Sequence, residues 1–121
     1  MAEYLPIYKP GQALTLKASA TITGGQLVAV SGSGTVAPAG AAAANWVGVA
    51  AFDAATNDNV TIHCDGVQSL TASGAVTAGD QIVSAAAGAV ATGTPASAGA
   101  FVGVALTTAA NGAKVRVKFS R

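Results

Sequence analysis

The side chains with chemical reach are few, and only His63, Cys64 and Asp65 stand together. A cysteine nucleophile needs a base aimed at its sulfur. Neighbours along a strand point to opposite faces, so His63 and Cys64 diverge in an extended segment. His63 and Asp65 share a face and could serve a small hydrolase, with the nucleophile supplied from elsewhere. Asp53, Asp58, Asp65 and Asp80 do not fall at the spacing of a calcium loop. Asn57-Asp58-Asn59 has no glutamate at the distance such a loop requires and reads as a turn. Gly32-Ser-Gly34 lacks the third glycine, the lysine and the following helix of a phosphate loop, and reads as a hairpin turn. A single cysteine allows no internal disulfide and no Cys/His set for zinc. The expectation is a protein that is not an enzyme and uses no cofactor and no metal.

Composition supports that expectation. Of 121 residues, 51% are hydrophobic, but 30 of these are alanine and 14 are valine. Such a core buries little area per residue, and at ~25 cal/mol per Å² it is thin. Charged residues are 9% of the chain, against roughly 25% in an average soluble domain. A small domain with a thin core and a sparsely charged surface is expected to share its stability with neighbouring chains. The net charge of +1 gives no basis for gripping a nucleic-acid backbone. No run approaches the ~20 large apolar residues of a membrane helix. The opening segment, with Glu3, Pro6 and Pro10, does not read as a signal peptide, so synthesis in a cytoplasm is expected.

The elements that must position these residues come in two copies. Ile22-Thr-Gly-Gly-Gln-Leu-Val28 matches Val76-Thr-Ala-Gly-Asp-Gln-Ile82, and Gly34-Thr-Val-Ala37 matches Gly88-Ala-Val-Ala91. Trp46-Val-Gly-Val-Ala50 matches Phe101-Val-Gly-Val-Ala105, and Val60-Thr-Ile-His-Cys64 matches Val115-Arg-Val-Lys-Phe119. The offset is 54 for the first two pairs and 55 for the last two, so one extra residue sits in the second copy. Each copy reads as short strands joined by turns. Gly48 and Gly103, inside matched strands, mark a bulge or a close backbone approach. Gln12–Ala18 and Gly66–Ala72 read as strands outside the repeat. The alanine runs at 41–44 and 85–87 are too short for independent helices and read as loops, at most a single helical turn. By the repeat, Cys64 replaces a core phenylalanine and reads as a small buried hydrophobe. The predicted fold is all-β: a small sandwich or barrel built from two pseudo-symmetric β-modules, about 21–66 and 75–120. An extended N-terminal arm, 1–11, precedes a single domain, 12–121.

Two surfaces are candidates for contact. Tyr4, Leu5, Ile7 and Tyr8, with Pro6 and Pro10 forbidding a helix, form an aromatic, extended arm suited to docking on another subunit. Its plain alternative is an ordinary first strand. Lys114, Arg116, Lys118 and Arg121 hold four of the six cations and could face an acidic protein surface. Their plain alternative is the solvated face of an edge strand, where lysine discourages aggregation.

The ordered motifs resemble those of the capsid-decoration, or head cement, proteins of tailed bacteriophages. The residues are Pro10-Gly-Gln-Ala-Leu-Thr-Leu16, Ala20-Thr-Ile-Thr-Gly-Gly-Gln-Leu-Val28, Val47-Gly-Val-Ala50 and Gly66-Val67. Ala75-Val-Thr-Ala-Gly-Asp80, Gly103-Val-Ala-Leu106 and Lys114-Val-Arg-Val-Lys118 continue the series. The resemblance implies a β-rich, non-enzymatic virion protein, usually a homotrimer. Such proteins sit on the outer surface of the expanded head at threefold positions, with the major capsid protein as partner. By analogy the arm, through Tyr4, Leu5, Ile7 and Tyr8, faces the capsid. The competing class is a stand-alone carbohydrate-binding or adhesive β-module, for which Trp46, Tyr4 and Tyr8 are the available aromatics.

Overall fold

Ten strands account for the architecture of the computed structural model, which describes residues 4–9, 11–94 and 99–120. The N-terminal module holds β1 (Leu14–Ala18), β2 (Leu27–Gly32), β3 (Thr35–Pro38), β4 (Trp46–Ala50) and β5 (Asn59–His63). They close a barrel in the order β1-β3-β2-β4-β5. The C-terminal module holds β6 (Val67–Thr71), β7 (Gln81–Ser84), β8 (Val90–Thr92), β9 (Phe101–Ala105) and β10 (Lys114–Phe119). These form a five-stranded sheet in the order β6-β10-β9-β7-β8. The architecture is all-β, as expected. Of the alanine runs, residues 41, 42 and 44 lie in turns, and 86–88 make one 3-10 turn with Ala87 at φ 57°.

The period-two pattern explains which side chains face inward. In β10, Val115, Val117 and Phe119 are buried while Lys114, Arg116 and Lys118 are exposed. In β1, Leu14, Leu16 and Ala18 point into the barrel with Val28, Val36, Val60 and Ile62. The second module buries Leu70, Ala72, Ile82, Val90, Val115 and Val117 at the matching places.

The pairing extends the duplication beyond the four matched segments. β1 runs antiparallel to β5 with Leu16 opposite Val60, and β6 runs antiparallel to β10 with Leu70 opposite Val115. β1 is also parallel to β3 through Ala18 and Val36, and the single parallel bridge Ala72–Val90 stands in the same place. The strands at 14–18 and 67–71, read from sequence as outside the repeat, therefore occupy equivalent positions. Their inward residues agree, Leu16 and Ala18 with Leu70 and Ala72. Their outward residues, Lys17 and Thr71, do not.

The paired glycines do what their placement predicts. A β-carbon on Gly48 would overlap the carbonyl oxygen of His63 and lie 2.8 Å from Ile62 Cγ2. One on Gly103 would overlap the Lys118 carbonyl oxygen. Both glycines lie beside register shifts, between Val28 and Ala29 and between Ile82 and Val83.

Candidate functional site

The geometry dissolves the His63-Cys64-Asp65 cluster. His63 ends β5 on the exposed face, and Cys64 is half-buried against the barrel interior with its thiol 3.7 Å from the Ile62 carbonyl oxygen. Asp65 is engaged elsewhere: its Oδ2 accepts the Gly11 amide at 3.0 Å, and its main-chain oxygen accepts Gln68 Nε2 at 3.0 Å. Burial pushes the Cys64 thiol above its ordinary value, and the nearby Asp65 carboxylate adds to the rise. A backbone hydrogen bond from Leu14 opposes it. Burial, the largest effect, favours the neutral thiol, the reverse of an activated nucleophile. Alkylation of the native protein by iodoacetamide is therefore expected to be slow at neutral pH. It should still be rising past the ordinary thiol value of about 8.5. A rate already on its plateau at pH 7 would restore Cys64 as a reactive group. Among the described residues no group of three His, Cys, Asp or Glu side chains converges as a metal site.

The arm is where the surface becomes unusual. Tyr4, Leu5 and Ile7 are 86%, 76% and 88% exposed, and Tyr8 is 39% exposed. Stripping water from such side chains is favourable only against another apolar surface. The base of the arm is tied down. The Tyr8 hydroxyl accepts the Thr15 amide at 3.2 Å, and the Asp65 carboxylate holds Gly11 across 54 positions of chain. A turn closes beside these anchors: the Gln12 amide donates to the Lys9 carbonyl at 3.0 Å, and the Lys9 amide donates to Gln12 Oε1 at 2.8 Å. Asp65, read from sequence as a possible catalytic carboxylate, is a fastening for the arm. Pro10 lies outside the described residues.

The cationic strand is not an edge. β10 is hydrogen-bonded to β6 on one side and β9 on the other, which corrects the edge-strand reading. Strand order, not the strand's own sequence, decides this. Arg116 faces solvent opposite Ser69, and Lys118 lies opposite Val67 and Val104. Lys114 Nζ donates to Thr71 Oγ1 at 2.9 Å. Neither flanking strand carries a carboxylate. Val67, Val104 and Leu106, at 50%, 41% and 47% exposure, border the cations, so the face is both apolar and positive. The alternation in Phe101–Leu106 carried that signal in the sequence. Arg121 lies outside the described residues. An open groove of ≈ 370 Å³ runs between the modules, lined by Thr23, Gln26, Thr71, Ala87 and Lys114 among others, and it gathers no set of reactive groups.

The described residues thus form a closed five-stranded barrel and a matching five-stranded sheet, with an exposed apolar segment fastened at its base. The sequence profile described as "Phage cement protein" matches residues 8–120. The chain belongs to the phage cement protein family, a family of structural phage proteins. Among solved structures it resembles the N base of head fiber gp8.5 of bacteriophage phi29. The two chains are 18% identical with a TM-score of 0.71, over 90% of this chain and 93% of that one. At that identity the likeness is one of fold. No significant match is found among the curated proteins.

Proposed function

We propose that this chain is a cement subunit that binds the outer surface of the expanded phage head and braces the capsid lattice. Its partner is the major capsid protein, and it acts as a homotrimer at threefold positions of the virion. In this reading residues 1–11 are the docking arm and residues 12–121 are the body that carries it. The observation that carries the reading is the arm itself, with three large apolar side chains more than three-quarters exposed on a segment anchored at its base. The repetitive shell multiplies a modest single contact when the subunits are joined. The exposed Lys114, Arg116 and Lys118, flanked by Val67, offer a second contact face for an acidic capsid surface.

Sedimentation with expanded, undecorated heads tests it. The protein is expected to pellet with heads and to saturate at a fixed copy number per particle. Raising NaCl from about 50 mM to about 500 mM is expected to weaken binding only several-fold, because apolar burial is screened far less than exposed charge. Protein left wholly in the supernatant overturns the proposal. The carbohydrate-binding alternative loses its main aromatic, since Trp46 is 3% exposed and packs against Phe119. What remains for it is Tyr4, Tyr8 and Phe52, the last 48% exposed, and a glycan array decides that directly.

A further inference from the structure

The seam between the two modules is a contact made once where the duplication offers it twice. The outer flank of β2 and β4 is covered: Leu27, Ala29, Trp46 and Val49 retain 0%, 7%, 3% and 4% of their exposure. They share one apolar cluster with Leu70, Val102 and Phe119, which close one end of the C-terminal module. Trp46 meets Phe119 edge-on, with ring centroids 5.1 Å apart. Hydrogen bonds sew the same seam. Ser84 accepts the Ala42 amide at its carbonyl and the Ala43 amide at its hydroxyl, each at 2.8 Å. The Gly88 amide donates to the Ala39 carbonyl at 2.9 Å.

Each half of that seam has a counterpart in the other module, and each counterpart is less covered, although Val83, in the place of Ala29, is itself buried. On the flank, Trp46 corresponds to Phe101 and Val49 to Val104. Phe101 is half-buried and Val104 is 41% exposed. At the end, Leu70, Val102 and Phe119 correspond to Leu16, Val47 and Cys64. The first three are 0%, 0% and 5% exposed, while their counterparts are all only half-buried. The chain thus presents a socket on its N-terminal module and, on its C-terminal module, the kind of surface that fills such a socket.

We propose that the open end of the N-terminal module, around Leu16, Val47 and Cys64, docks onto the β7–β9 flank of a second copy, around Phe101 and Val104. The contact between chains repeats the contact within one. It rests on the self-association stated above and specifies the surface. The two patches differ, so the contact is head-to-tail and closes into a ring when the rotation between copies permits. The anchored arm sits beside the socket through Tyr8 and Gly11, which leaves it at the rim of the junction. Gln81, in the place of Leu27, supplies a polar rim on the flank.

The internal Trp46–Phe119 contact predicts that Phe101 of one copy meets Cys64 of the next. The full-length Phe101→Cys variant, mildly oxidised at alkaline pH, is expected to give a ladder of covalent oligomers on a non-reducing gel. Adding Cys64→Ser should erase the ladder. Because Phe101 also packs against Gly93 and Val83 within its own module, a second variant avoids that risk. Val104→Glu changes an exposed position, should leave the circular dichroism spectrum unchanged, and is expected to weaken self-association at least tenfold by light scattering. An oligomeric protein that forms no such cross-link and tolerates Val104→Glu overturns this inference and leaves self-association standing. A Cys64–Cys64 cross-link in the unsubstituted protein also overturns it, since it sets end against end. A protein monomeric at all concentrations overturns both, while attachment to heads is still read separately by pelleting.

Discussion

Removing residues 1–9 is expected to abolish retention on expanded heads while lowering the melting temperature by no more than several degrees. Tyr4, Leu5 and Ile7 contribute no buried surface to the core, so their loss leaves the barrel and the sheet intact. The folded body loses the hydrogen bonding between the Tyr8 hydroxyl and Thr15 and the two hydrogen bonds between Lys9 and Gln12. All are at exposed positions and together are worth about 1–2 kcal/mol, or several degrees for a domain of this size. Attachment loses far more. Burying a large apolar side chain contributes about 1.5–3 kcal/mol. Three of them together represent about three to six orders of magnitude in affinity. The measurements are calorimetry on the free protein and a pelleting titration with heads. Unchanged pelleting would move the contact to the outer face of β10. A collapse in melting temperature would make the arm part of the fold rather than a docking element.

Gly103→Val is the second large effect, and it strikes stability. A β-carbon at 103 would collide with the Lys118 carbonyl, with its carbon at 2.8 Å and Phe119 Cα at 3.1 Å. These are backbone atoms of a central strand and cannot turn aside as a side chain can. Forcing β9 away from β10 breaks their ladder and opens the cluster around Val117 and Phe119. The expected cost is at least about 3 kcal/mol, enough to lower the melting temperature by ten degrees or more or to prevent folding. Gly40→Ala is the control. Its β-carbon meets nothing within 4 Å, and it is not among the glycines at positive φ, so it should be neutral. Equal melting temperatures for the two variants would refute the close-approach explanation.

What could be read from the chain beforehand followed a physical rule. Inward-facing residues are constrained by packing and keep their pattern, so the pairs Val28/Ile82, Val36/Val90 and Val60/Val115 were visible in register. Outward-facing residues are free to drift. This hid the kinship of β1 and β6, whose shared signal reduces to leucine and alanine two positions apart. Gly48 and Gly103 were legible because a close approach tolerates no other residue. Three properties of the surface were not. The interior position of β10 depends on strand order, which its own alternation does not encode. The fastening of Gly11 by Asp65 spans 54 positions and leaves no local mark. The different fates of Val49 and Val104 follow from how the modules are stacked, although the segments carrying them are nearly identical.

The two interiors are unequal in one further respect. The cluster around Val28, Val36, Val60 and Ile62 draws only on residues of the first half, whereas the cluster around Leu70, Val102 and Phe119 needs Trp46 and Val49 to complete it. During synthesis the leading half can therefore bury its own interior while the trailing half is still emerging from the ribosome. The trailing half then condenses on a preformed wall, which gives the chain a direction of assembly and limits mispairing between two nearly interchangeable sets of strands.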